Sequence, residues 1–578
     1  MKTNEKRNGA IPVIIAAAIA AMISAVIYYF TLPAWNISSV GMWVYILIVL
    51  ALFLATESIA FASDGARVAH EFLMTGFDAF GGTKGTISKR KKNVLKALGI
   101  AMLAVLIILI FGGLFSSTIF NASSYSDLIF VETGDFDADI SEAESLSSLA
   151  VVDMQTAESV GDRTLATAEN ASWYEVDDEY NLIEYGGTYY RISSVCYSGF
   201  FKWCSASSVG LPGYVLVNAV TQEATLVSTS SPMLYSPDAY LSYDLTRHLR
   251  AQYPTYIFGD SYFEIDDDGN PYWITSVRTA RVGLFGAMSE TAFVITDACT
   301  GESTEYAGED IPEWVDHAYS LEYLTTAAYW HYEFVDGWFN HAFSQTGVYR
   351  TSYYYSGYYD DEYDYGYSYD GYNTAITSSG EVVFYVGLSP ANGAESNIGF
   401  LLLSPSTGTI TYYACAGAEE SSAQSAAEGV VQNLGYDASF PTVVNISGEP
   451  TYFMVLKDNA GLIRRYALSN IADYTKVVVS ETFDEARLLY LETIGAEIAD
   501  EPTGDDTLSL TSKIASISTA EISGTTVFIY EFEDADGLFV ASISLSVRQI
   551  TLEVGDTVTV SYAASGEDGV YNVSGIEW

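Results

Sequence analysis

Three long apolar stretches, residues 11–31, 40–62 and 94–116, constrain this chain more than anything else in it. Each is close to the roughly 20 residues that a helix needs to cross about 30 Å of hydrocarbon. Backbone polar groups in lipid must be satisfied within their own segment, so the stretches predict three membrane-spanning helices. The charges agree with this reading. Residues 1–120 hold 10 Lys and Arg against 5 Asp and Glu, whereas the remaining 458 residues hold 15 against 68. The first region is therefore about +5 and the second about −53, which is the pattern of a multi-pass anchor carrying a large acidic domain on the far side of a membrane.

Orientation follows from the loops. Lys2, Lys6 and Arg7 precede the first stretch, and Arg67, Lys84, Lys89, Arg90, Lys91 and Lys92 lie between the second and third. Residues 32–39 carry no Lys or Arg. Basic loops stay cytoplasmic, so the amino terminus is expected inside and everything after about residue 117 outside. The first stretch reads as an anchor, not a cleaved signal: its apolar core is long, no small-x-small site closes it, and Tyr28, Tyr29 and Trp35 flank its exit. Glu57 is the only carboxylate in a span, about one turn from the cytoplasmic end, where it reaches headgroups. The Gly-rich segment 81–86 lacks the Gly-Lys-Ser/Thr ending of a phosphate loop.

Beyond residue 120 the chain is long enough for three or four domains. Residues 121–148 are rich in Ser and acid and read as a stalk. From residue 149 short apolar strands alternate with Gly, Asn and Asp turns, giving an α+β module over 149–235, a second over 236–310, a helical segment over 311–345, a Tyr/Asp-rich loop over 346–376 and a further module over 377–500. Two segments read as one repeated unit, a helix followed by three or four antiparallel strands. In the first the helix is 239–252 and the strands follow to Tyr306; in the second the helix is 423–434 and the strands run to Val479. Residues 507–578 read as five strands, an all-β barrel.

The strand-Thr-Gly-Glu-strand element around Thr300-Gly301-Glu302 resembles the PepSY-type module, which implies a binding or inhibitory unit outside the cytoplasm. The turn Leu552-Glu553-Val554-Gly555-Asp556 before the strand 557–560 resembles the OB-fold barrel. Over most of its length, through Val151-Val152-Asp153-Met154, Tyr235-Ser236-Pro237, His248-Leu249-Arg250 and Tyr253-Pro254-Thr255-Tyr256, the chain resembles multi-span membrane proteins of Firmicutes, chiefly Clostridia, some of them labelled CvpA-like. That resemblance implies a topology and a location in the envelope, and no established activity.

Candidate chemistry is sparse. Asp266, Asp268 and Asn270 begin like a calcium loop, but Pro271 stands where such a loop needs Gly, so a hairpin turn is expected. Glu313 and His317 fall on one face of an expected helix over 312–324, with His331, Glu333 and His341 following; no His-Glu-x-x-His pattern accompanies them, and packing accounts for them better than a metal. Residues 349–372 contain eleven Tyr. Tyr353, Tyr354, Tyr355, Tyr358 and Tyr359 are candidates for partner binding, since Tyr offers apolar area and a hydroxyl at low rotamer cost. Asp360, Asp361 and Asp364 among them are weak candidates for Ca²⁺. Cys196 and Cys204 are spaced to close a short disulfide loop. No catalytic residues are assigned, because no nucleophile elbow, Ser-x-x-Lys pair or thiol-enzyme signature is present. The barrel region has Lys513 and Arg548 against ten carboxylates, which argues against nucleic acid.

The expected function is that of a membrane-anchored, non-enzymatic binding or scaffolding protein of the cell envelope, with an envelope protein or a wall peptide as partner. An accessory of secretion or transport, centred on the helices and Glu57, is the alternative, and a divergent wall hydrolase is a third.

Overall fold

The computed structural model describes residues 11–56, 89–146, 149–167, 171–352, 371–391, 396–496, 508–522, 525–545, 549, 552, 554–564 and 569–577. They form two compact units that alternate along the chain. Unit 1 comprises Met1–Phe130, Cys196–Pro212 and Thr229–Val348, and unit 2 comprises Val131–Val195, Gly213–Ser228 and Tyr349–Trp578.

Unit 1 begins with α1 (Ile11–Thr31), the shorter apolar helix α2 (Val40–Thr56) and α3 (Lys89–Ser116). α1 and the Asn93–Ser116 part of α3 are long and apolar enough to cross a membrane. Their large apolar side chains, among them Ile14, Phe30, Ile100 and Ile110, are exposed on the folded chain. Such a surface is stable against lipid and not against water. The rest of the expected second span, residues 57–62, lies outside the described residues, and Glu57 with it.

From Val131 the chain enters unit 2. Residues 121–148 are not the stalk that their Ser and acid content suggests. The first of them complete α4 (Thr118–Ser126), which buries Ala122 and Tyr125 in unit 1. β1 (Val131–Thr133) then pairs in parallel with a strand far along the chain, Val131 opposite Ile410, and Glu142 bridges to Asn445. α5 (Met154–Leu165) starts at Asp153, whose carboxylate accepts from Thr156 N at 3.0 Å and pairs with Lys457 Nζ at 2.6 Å. Burial alone would raise that carboxyl; the Lys457 ammonium and the Thr156 N–H outweigh burial and hold it below its ordinary value. A sheet follows, built from β2 (Tyr174–Val176), β3 (Asn181–Tyr185), β4 (Thr188–Tyr197), β5 (Leu211–Asn218) and β6 (Ala224–Met233), in the order β2-β4-β5-β6 with β3 on β4. Gly186 and Gly187, both at positive φ (61° and 80°), make the two-residue β3–β4 turn.

Between β4 and β5 lies α6 (Phe200–Ala206). Cys196 is buried on β4 while Cys204 is exposed on α6, and no disulfide joins them; the expected bridge is not formed, because one residue is packed inside and the other stands at the surface.

Unit 1 resumes with α7 (Leu245–Gln252) and an antiparallel meander of β7 (Ile257–Ile265), β8 (Pro271–Val282), β9 (Gly286–Asp297) and β10 (Ser303–Ala307). The Asp266 carboxylate accepts from Asp268 N, Asn270 N and Asn270 Nδ2 at 2.8–3.0 Å, closing the β7–β8 hairpin as its turn residues predict. α8 (Leu321–Glu333) starts later than the expected helix over 312–324. The N–H groups of Asp316 and His317 go to Glu264, and that of Ser320 goes to Glu290; only a single turn, Val315 N to Pro312 O, forms before the sheet takes these donors. Ser320 Oγ then caps α8 through Tyr323 N at 3.1 Å.

The carboxyl ends of α1 and α3 are held by this meander and α7. At the end of α1, Arg250 Nε donates to Leu32 O (3.0 Å), Arg247 Nη2 donates to Tyr29 O (3.1 Å), and the Arg247 guanidinium lies 4.0 Å from the Tyr29 ring centre. At the end of α3, the buried Ser116 Oγ accepts from both Leu284 N (2.8 Å) and Phe285 N (3.0 Å) at the β8–β9 turn, and Tyr125 Oη donates to Ser116 O at 2.6 Å. The Phe285 ring packs against Gly112, where a Cβ would stand 2.5 Å from it and displace the ring.

The last pass of unit 2 holds β11 (Tyr349–Thr351), β12 (Asn373–Ile376), β13 (Val382–Pro390), β14 (Ser396–Leu403) and β15 (Ile410–Ala418), in the order β1-β15-β14-β13-β11 with β12 on β13. α9 (Glu420–Val430) leads to β16 (Asp437–Ala438), β17 (Thr442–Ile446), β18 (Glu449–Lys457), β19 (Ile463–Asn470) and β20 (Val477–Ser480), ordered β16-β18-β19-β20 with β17 on β18. One core joins Tyr385 and Phe400 to Tyr452 and Met454; another puts Phe453 and Ile446 against Phe483 and Tyr490 of α10 (Phe483–Ile494). The chain ends in a closed barrel of β21 (Leu508–Ile522), β22 (Thr525–Phe532), β23 (Ala535–Ser542), β24 (Thr557–Ala564) and β25 (Val570–Glu577), in the order β21-β22-β23-β25-β24 around Tyr530, Phe539 and Val560.

Replacing Ser116 by Ala removes one acceptor from two backbone donors at a buried site. A loss of about 1–3 kcal/mol is expected, read as a lower denaturation midpoint of the full chain in lipid nanodiscs; an unchanged midpoint would show that the β8–β9 turn does not depend on this contact.

Candidate functional site

A cavity of about 230 Å³ opens in unit 2 where two sheets present their edges. One wall is β12 with the turn after it, through Thr374, Ala375 and Ser378; the other is β17, through Thr442, Val443 and Val444. Each of these strands is laddered on one side, β12 to β13 and β17 to β18. The far side of β17 is covered at Asn445, where Ala143 N donates to its carbonyl at 2.8 Å, but the cavity takes that side at residues 442–444. Ile140, Ser141, Leu149, Ala150 and Tyr189 complete the lining.

The walls are apolar with a few aimed hydroxyls. Thr374 Oγ1 accepts from the buried guanidinium of Arg191 at 2.8 Å, and that guanidinium also donates to Val152 O (2.9 Å) and Tyr180 O. Tyr189 Oη donates to Gly380 O at 2.8 Å. Thr442 differs: its side chain is 5% exposed, and Oγ1 has no hydrogen-bond partner among the described residues. A buried polar group without a partner is expensive, about 1–3 kcal/mol, and such groups in native proteins commonly await a ligand or a water. No charged side chain among the described residues lines the cavity, in a domain that is otherwise strongly acidic.

The Tyr-rich segment is rooted beside this cavity. Ser352 Oγ donates to Gly371 O at 2.7 Å and accepts from Gly387 N at 2.8 Å, tying the two ends of the insertion together one residue after β11 and two before β12. The candidate binders Tyr353, Tyr354, Tyr355, Tyr358 and Tyr359 and the candidate Ca²⁺ ligands Asp360, Asp361 and Asp364 lie outside the described residues.

The other titratable clusters hold the fold. Glu264 and Glu290, both buried, take the backbone N–H groups before α8, and Glu290 also accepts from Ser276 Oγ, Ser320 Oγ and Arg278 Nε at 2.8–3.2 Å. The histidines named in the sequence go to separate partners: His317 Nδ1 to Glu264 at 3.1 Å, His331 Nδ1 to Ser126 O at 3.1 Å and His341 Nδ1 to Glu333 at 2.9 Å. Among the described residues no three His, Cys, Asp or Glu side chains converge as a metal site would need. Burial pushes the Cys299 and Cys415 thiols up to about 11, away from the thiolate that nucleophilic chemistry requires.

Glu420, in the first turn of α9, accepts from Tyr385 Oη (2.6 Å) and Asn397 Nδ2 (2.9 Å), and Asn397 links on to Tyr452. Burial dominates and raises its pKa, with these donors opposing the rise. The site is sealed, since a Cβ on Gly387 would overlap the carboxylate. No protein-family model and no curated protein matches this chain.

A carboxyl whose folded pKa is raised contributes stability that is full below its unfolded pKa and is lost as pH rises through the folded value. Wild type and Glu420→Gln should therefore have similar denaturation midpoints near about pH 4 and diverge above it, with the Gln variant becoming the more stable. Parallel midpoints from acid to neutral pH would remove the claim.

Proposed function

We propose that this chain is a membrane-anchored binding protein of the bacterial cell envelope, its amino terminus cytoplasmic and its acidic units outside. Two spanning-length helices beside a β-rich domain support the anchorage, and the basic loops support the orientation. The observation that carries the binding role is the neutral cavity between β12 and β17, with the buried Thr442 hydroxyl unsatisfied inside it. The occupant we infer is an extended, uncharged peptide segment of a wall peptide or an envelope protein. Edge strands offer backbone groups to such a segment, and the small apolar walls take a short side chain.

The helix–meander units, α7 with β7–β10 and α9 with β16–β20, are proposed as PepSY-like. Their support is the shared order of one helix followed by an antiparallel sheet. The closed barrel is proposed as OB-like, on its strand order and on the parallel closure of β23 against β25. The Tyr-rich segment, rooted next to β12, is proposed to extend the contact surface, with Ca²⁺ as an accessory ion of its carboxylates.

The test is Thr442→Val, which keeps the shape and removes the hydroxyl. In the full chain without a ligand the variant should be about 1–3 kcal/mol more stable. In capture from envelope extracts, with and without Ca²⁺, it should lose at least part of whatever peptide partner wild type retains. A wild-type chain that retains no partner, or a variant that binds equally well, would remove the cavity from the function.

A further inference from the structure

Among the exposed large apolar side chains of unit 1 are two patches, each tied by contacts to the outer end of a spanning helix. The first lies beyond α3. Ile119 and Phe120 of α4, three and four residues past the last residue of the span, are 51% and 60% exposed. The other face of α4 packs Ala122 and Tyr125 against Val282, Ala287, Phe334 and Trp338. From Trp338 the chain makes a tight turn that is inside out. The polar Asn340 side chain is directed inward, donating to Val335 O (2.8 Å) and Thr346 O (2.9 Å) and accepting from Thr346 N (3.1 Å). Phe339 and Phe343 are outside, 74% and 75% exposed, stacked on each other at 6.3 Å. The turn is thus built to present two aromatic rings to its surroundings.

The second place lies beyond α1. Leu241 sits at φ 60°, a conformation that branched side chains avoid, and its side chain is exposed. Its carbonyl accepts from Arg247 Nη1 at 3.0 Å, and the same Arg247 holds Tyr29 at the end of α1. Beside it, Phe200 packs on Tyr240 at 5.1 Å while the neighbouring Phe201 is 83% exposed.

Depth fixes what covers both patches. Leu284 and Phe285 approach Gly112, four residues inside the outer end of α3, or about 6 Å along its axis. The ectodomain therefore reaches past the end of the span. A bilayer interface meets the outer ends of α1 and α3 together; a protein partner would have to reach two separate patches to do the same. We propose that these patches are an interfacial wedge: Phe120, Phe339 and Phe343 on one side and Phe201 and Leu241 on the other enter the outer leaflet at headgroup level. Their partner is the lipid in which the helices stand. Insertion is apolar, since the chain is strongly acidic and gains nothing from anionic headgroups. Unit 1 then rides on the membrane as a seated body and is not a domain on a tether.

This inference rests on the membrane reading of α1 and α3, and one experiment separates the two. The full chain is reconstituted into phosphatidylcholine vesicles in which a fraction of the lipid carries a diazirine near the top of the acyl chain. After photolysis the labelled residues are mapped by mass spectrometry. The expected result is label on α1, on α3 and on the segments holding Phe201, Leu241, Phe339 and Phe343. In Phe339→Ser/Phe343→Ser, exposed changes that leave the core intact, the 335–346 label should fall to background while that on the spans is unchanged. Label confined to the spans would overturn the wedge and leave the anchor standing. Absence of label on the spans would overturn both. Cross-linking of two copies through residues 335–346, without lipid label there, would assign the patch to self-association instead.

Discussion

A helix ends on carbonyls its own backbone cannot satisfy, and unit 1 is organised around polar contacts at the carboxyl ends of its two long apolar helices. Arg247 and Arg250 place positive charge and hydrogen bonds at the carboxyl end of α1, where the helix dipole is negative. At α3 the exchange runs the other way: the Ser116 hydroxyl satisfies two N–H groups of the β8–β9 turn. Once these contacts form, α7 and the meander have fixed positions on the helices, and the exposed aromatics beside them have fixed positions too.

Unit 2 follows a different constraint, the management of sheet edges. An unpaired edge invites association. Here β1, added from the start of the unit, covers the outer side of β15, and the segment around Glu142 covers β17 at Asn445. The cover stops short of residues 442–444. The cavity is what remains when two edges approach and neither is capped along its whole length, so its two walls are Thr374, Ala375 and Ile376 of β12 and Thr442, Val443 and Val444 of β17.

Much of this was legible in the sequence because it depends on local pattern. Residues 507–578 read as five strands, and five strands close the barrel there. The misreadings share one cause, a partner distant in sequence. The Ser- and acid-rich stretch after residue 120 looks like a solvated stalk until Val131 meets Ile410. Residues 312–320 look helical until Glu264 and Glu290 take their N–H groups. Thr442 carried no signal at all: a Thr in an apolar strand is ordinary, and only the surrounding packing leaves its hydroxyl alone. Cys196 and Cys204 have suitable spacing, but spacing does not report that one thiol is inside a sheet and the other outside it.

The parallel pairing of β1 with β15 bears on how the chain is made. Translation delivers residues in order, and Val131 emerges long before Ile410. At about 5–20 residues per second the wait is roughly 15–55 s. During that interval β1 and the segment around Glu142 lack the strands they join, while α1 and α3 are already made and the meander of unit 1 is completed only at Ala307. The early part of unit 2 therefore waits unpaired for its partner strands, and the maturation of this protein is set by its own topology as much as by its stability.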